Sequence, residues 1–128
     1  MKKSLLLAAL LLSSTAQAET WVCSTEGYAE GPEVLTTFVR RKDAFVKTST
    51  TPATDSQPTI TSREEYLSIL WETDSLIALQ GWSYYHEEEP TDILVSTHLI
   101  HKETNAYVEQ SASFDFKWGR DQGSCVKI

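Results

Sequence analysis

The chain has 128 residues, with 11 Lys and Arg against 18 Asp and Glu, for a formal net charge of −7. That length holds one domain with a real core and not two. The acidic balance argues against nucleic acid and anionic lipid as partners, since both are bound mainly through Lys and Arg.

Lys2 and Lys3 form a positive start, Ser4 to Leu12 is an apolar run of Leu and Ala, and Ala16-Gln17-Ala18 has the small-x-small form that a signal peptidase cuts. Residues 1–18 therefore read as a signal peptide. The run is shorter than the roughly 20 apolar residues of a permanent membrane helix, and no cysteine directly follows Ala18 to accept a lipid. The expectation is a periplasmic or secreted protein, residues 19–128, not inserted in a membrane. Without Lys2 and Lys3, nine cations remain against 18 acids, leaving −9.

Within 19–128, Val, Ile, Thr, Trp, Tyr and Phe gather in short runs separated by polar turns, the mark of an all-β domain. A first strand is predicted over Thr20 to Ser24. Leu35 to Arg40 and Ala44 to Thr50 should form a hairpin about Arg41-Lys42-Asp43. The Thr/Ser/Pro-rich stretch from Thr51 to Pro58 has no apolar period and reads as a loop. Glu65 to Glu72 and Ser75 to Trp82 should pair about Thr73-Asp74, with Trp71 opposite Leu76 and Leu70 opposite Ile77. A helix capped at Ser62 with Glu65 in the reciprocal position competes for this segment, and the turn chemistry of Glu-Thr-Asp-Ser favours the hairpin.

Turning at Lys102-Glu103-Thr104-Asn105 sets Leu99 opposite Val108, Val95 opposite Ala112 and Ile93 opposite Phe114. It also sets His98 opposite Glu109, Ser96 opposite Ser111 and Ile100 opposite Tyr107. The first set is the more apolar, so it is expected inward, with His98 and Glu109 outward. Gly123 to Val126 closes the chain as a strand near the first. The fold class is all-β: an antiparallel meander of about seven or eight strands, curled into a small barrel or a sandwich.

Cys23 and Cys125 are the only cysteines, one near each end of 19–128. In an oxidising compartment such a pair forms a structural disulfide. There is no Cys-x-x-Cys redox motif and no set of four metal ligands.

The remaining chemistry is sparse. His98 and His101 fall on opposite faces of a strand, so they do not make a metal pair. His86-Glu87-Glu88-Glu89, with Asp92, lacks the alternating ligands and Gly of a calcium loop and reads as a solvated acidic loop. No Gly-x-Ser-x-Gly or Ser-x-x-Lys motif is present, and carboxylate pairs such as Glu72 and Asp74 arise by chance among so many acids. No catalytic, cofactor or metal residue is therefore assigned, and the chain is not expected to be an enzyme. Trp21, Trp71, Trp82 and Trp118 are the unusual resource. Trp71 is expected in the core. Trp82, with Tyr84 and Tyr85, is a candidate contact patch, with Glu87, Glu88 and Glu89 as its charged rim.

Leu99-Ile100-His101-Lys102-Glu103-Thr104, followed by the terminal Gly123-Ser124-Cys125, resembles the Leu-Ile-x-Lys-x-Thr turn and Gly-x-Cys of small secreted bacterial β domains of uncharacterised function. Many of those carry Asp where this chain has His101. The layout, an acidic β domain with a cysteine near each end, is similar to that of periplasmic inhibitors of c-type lysozyme. Their Ser-Gly-x-Arg/Lys-Tyr motif is absent, and Gly81-Trp82-Ser83-Tyr84-Tyr85 does not replace it, so no inhibitory residue carries over. The expected function is a non-catalytic protein-binding module, with an inhibitor of a basic hydrolase as one form. A small barrel for an apolar ligand and a hydrolase are the alternatives.

Overall fold

The computed structural model describes residues 18–25, 33–84, 93–113 and 119–128. Among the described residues nine strands carry the fold: β1 Thr20–Thr25, β2 Val34–Arg41, β3 Ala44–Thr51, β4 Ile60–Thr61, β5 Glu65–Glu72, β6 Leu76–Tyr84, β7 Ile93–His101, β8 Ala106–Ala112 and β9 Gly119–Lys127. The sheet order is β2-β1-β9-β8-β7-β6-β5-β3-β4, and β2 also pairs with β3, which closes the sheet on itself. The result is an antiparallel barrel of eight strands, with two-residue β4 added to the free end of β3. It is a barrel and not a sandwich. The competing helix at Ser62 is replaced by β5, which starts at Glu65.

Tight turns explain one end. Arg41 pairs with Ala44, leaving the two-residue loop Lys42-Asp43, with Lys42 in the left-handed region at φ 56°. Asn105 takes the same region at φ 61°, where Asn is tolerated, and its N–H donates to the His101 carbonyl at 2.8 Å. Glu19 and Ile128 lie at this end too, since Ile128 N–H bonds to the Thr20 carbonyl and Arg40 N–H to that of Glu19, both at 2.9 Å. The strand ends Thr25, Val34, Tyr84, Ile93, Ala112 and Gly119 gather at the opposite end, from which the segment 52–64 also leaves.

The seam between first and last strands is held three ways. Cys23 lies opposite Cys125 in the ladder and is disulfide-bonded to it. Cys125 N–H turns away to the Asn105 carbonyl at 2.7 Å, tying the seam to the β7–β8 turn. Gly123 lets β9 close on β1, because a Cβ there would lie 1.7 Å from the Ser24 carbonyl oxygen.

The register of β7 and β8 is as the sequence predicts, with Leu99 opposite Val108, Val95 opposite Ala112 and His98 opposite Glu109. Phe114 lies outside the described residues. The facing is reversed: His98 is 0% exposed and Leu99 37% exposed. Both faces of β7 carry apolar residues, so the strand alone does not decide. The neighbours do. β6 puts Ile77, Leu79 and Gly81 beside Ile100, His98 and Ser96, and Phe38 from across the barrel packs 5.5 Å from the His98 ring and 5.7 Å from that of Tyr107.

Two further expectations are corrected. The β5–β6 hairpin exists, but Glu72 pairs with Ile77 and Trp71 with Ala78, not Leu76. Thr73 is the cause: its Oγ1 accepts the N–H groups of Ser75 and Leu76 at 3.2 and 3.1 Å, which lengthens the turn, and a bulge between Ile69 and Trp71 shifts the register again. That bulge throws Trp71 outward, where it is 62% exposed and not in the core.

Candidate functional site

Outward side chains of β5 to β8 form three levels on one wall. The upper row is Trp82, Val95 and Ala112. The middle row is Ser68, Gln80, Thr97 and Gln110. The lower row is Trp71, Ala78, Leu99 and Val108. None of these eleven residues is charged, in a chain with 29 charged residues. Trp82 is 66% exposed, Ile93 and Val95 are exposed beside it, and grooves lined by Gln80, Gly81 and Trp82 on one side and Thr97, Gln110 and Ser111 on the other flank Val95.

The inner face of the same strands carries a polar and charged cluster. Ser96, His98, Tyr107 and Glu109 form a hydrogen-bonded line inside the barrel, reached from β3 by Lys47, 3.8 Å from Glu109 and 3.7 Å from Glu65. Tyr107 O–H donates to Glu109 at 3.4 Å. Its oxygen must then accept the His98 Nδ1–H at 2.8 Å, and Nε2 must accept the Ser96 hydroxyl at 3.2 Å, so one neutral tautomer satisfies every member. Burial, helped by Lys47, pushes the His98 pKa down to about 3. Burial raises the Tyr107 hydroxyl, with Glu109 adding to it, and burial raises Glu109 above the usual carboxylate range although Lys47 opposes this. With its pKa held this low, the His98 imidazole is a poor general base at neutral pH.

This line sets an acid limit. A base whose folded pKa lies below its unfolded value contributes stability fully above the unfolded pKa, near 6.5, and loses it as pH falls toward the folded value. With His98 at about 3, the expected loss is about 2 kcal/mol by about pH 5 and about 4 kcal/mol near pH 3. The raised Glu109 pKa works in the opposite sense, because protonation there favours the fold as pH falls. Urea unfolding across this range should show the net decline, and His98→Gln should flatten it. An unchanged acid limb in that variant would remove His98 as its cause.

The tight-turn end is closed by ions. Arg40 Nε donates to Glu19 at 2.6 Å, its NH2 group pairs with Glu72, and Lys102 reaches Glu72 at 3.1 Å. The Arg40 guanidinium also lies 4.7 Å from the centroid of the Phe45 ring, and Trp21 Nε1–H donates to Glu19 at 3.0 Å. The Arg40 hydrogen bond holds Glu72 below its usual pKa. At Glu19 burial pushes upward, but bonds from Arg40 and Trp21 outweigh it and leave the carboxyl low.

The structure thus joins Cys23 to Cys125 and exposes Trp82 as the sequence allowed. Tyr84 ends β6, while Tyr85, Glu87, Glu88 and Glu89 lie outside the described residues. His98 and His101 do face opposite sides, and His101 Nδ1 accepts the Thr104 N–H at 3.2 Å. Trp71, Val95 and the line from Ser96 to Glu109 were missed as site residues. The signal for the wall was present in the register itself, as three cross-strand rows with no acid among them. Comparison with protein families, curated proteins and solved structures returned no match.

Proposed function

We propose that the chain is a non-catalytic protein-binding module whose contact surface is the outer wall around Trp82 and Val95, and whose partner is a basic protein. One observation carries the reading: a two-thirds exposed Trp82 beside Val95 and Ile93, on a wall without charge. Exposed Trp in an apolar surround is the composition of a binding hot spot, and patches of this kind mark interaction sites. Among the described residues the acids stand on connections and strand ends or point inward, so they steer approach while the wall supplies affinity. The filling of the barrel by Trp21, Phe38, Phe45, Leu79 and Tyr107 favours this over an apolar-ligand carrier, which needs interior room. The firmly neutral His98 favours it over a hydrolase.

Surface-immobilised protein should capture a basic hydrolase such as lysozyme from a purified panel. Association should slow several-fold between about 20 and about 300 mM salt. Trp82→Ala should speed dissociation about tenfold and leave association nearly unchanged. Failure of every basic protein to bind at low salt, or identical dissociation from Trp82→Ala, would remove the reading.

A further inference from the structure

We infer that Glu109 and Asp121 form a pH-sensitive latch: a proton held between them keeps the first half of β9 on the barrel, and its loss lets residues 119–122 swing away. Three observations place the device there.

The first is how β9 is held. Its second half, residues 123–127, is paired with β1 along its whole length and carries the disulfide. Its first half is paired only with β8 among the described residues, as Gly119 to Ser111, Arg120 to Gln110, Asp121 to Glu109 and Gln122 to Val108. Gly123, pressed against the Ser24 carbonyl, marks the pivot between the two halves.

The second is charge. Inside this one-sided ladder Glu109 and Asp121 stand directly opposite one another on the inward face. Like charges so placed destabilise a strand pair. β3 brings Lys47 to 3.8 Å from Glu109, but Glu65 of β5 shares the same ammonium at 3.7 Å. From β7, His98 is neutral, and from β8, Tyr107 O–H donates to Glu109 at 3.4 Å. Lys47 is thus divided between two carboxylates, and Asp121 adds a third. A proton on Glu109 removes the repulsion, and its O–H then donates to Asp121.

The third is burial. The Glu109 side chain is mostly buried, and burial raises its pKa, with Asp121 and Glu65 adding to the rise while Lys47 and Tyr107 oppose it. Swinging residues 119–122 outward carries Asp121 away and lets water reach Glu109. The closed form therefore binds the proton more tightly than the open one. Opening then increases as pH rises from the ordinary carboxylate range through the raised value, and levels off above it. This sense is opposite to that of His98, which weakens the whole domain on acidification. Opening uncovers Ser111 and Ser96, which pair in the next inward row.

Amide hydrogen exchange followed by NMR on the exported, disulfide-bonded protein, at about pH 5.5 and about pH 8 with intrinsic rates divided out, tests this. Protection of residues 119–122 and their β8 partners should fall about threefold to tenfold at the higher pH. Protection of the β6–β7 ladder should hold or rise, as the His98 titration requires. Glu109→Gln keeps a donor for Asp121 without a charge, and Asp121→Asn removes the opposing charge, so each should flatten the response. Protection of residues 119–122 that is unchanged or rises with pH, a fall shared by β6 and β7, or a response that survives in either variant would each overturn the inference.

Discussion

Removal of the Cys23–Cys125 bridge is expected to destabilise the domain by about 4–5 kcal/mol. The bond spans 102 positions, so in the unfolded chain it constrains nearly everything between β1 and β9. Both cysteines are buried and stand opposite one another at the seam where the barrel closes. A domain of this size holds only about 5–15 kcal/mol in all, so the loss is a large share. Cys23→Ala with Cys125→Ala should unfold about 15–20 °C lower than the oxidised protein, and the reduced wild type should behave alike. A shift under about 5 °C would mean that the β1–β9 ladder and the Cys125–Asn105 bond hold the seam without help.

His98→Asp is expected to cost about 3–5 kcal/mol and Leu99→Asp about 1 kcal/mol or less, the reverse of what alternation along the strand implies. His98 has no exposed surface and both ring nitrogens are bonded. An aspartate there is too short to reach Tyr107 and Ser96 together and brings a charge beside Glu109. Leu99 faces outward beside Ala78 and is partly exposed, so water reaches an added carboxylate. Urea midpoints of the two variants decide it, and a more damaging Leu99→Asp would place Leu99 in the core.

Pairing was legible in the sequence where turn chemistry was local. Lys102 to Asn105 sets the β7–β8 register because Asn105 takes the left-handed turn and His101 accepts the Thr104 N–H. At the β5–β6 turn the deciding contacts are made by one hydroxyl, Thr73 Oγ1, and by a bulge, and residue type alone marks neither. Facing was not legible because Ser96, His98, Tyr107 and Glu109 satisfy one another and need no water. A polar row with its own partners is as much at home inside a barrel as an apolar one. Trp71 was lost to the same bulge. Trp82 was legible as a candidate contact, but the neutrality of its wall emerges only when charge is counted face by face.

The central claim, that the uncharged wall of β6 and β7 is the surface on which proteins dock, is tested most directly by a photo-crosslinking residue placed at Val95, with a control at Gln122 on the outer face of β9. Both sites accept a bulky side chain without touching the core. Irradiated in the presence of a basic partner, the protein should form adducts to that partner from position 95 and few from position 122. Equal yields from the two positions, or none from position 95, would contradict it.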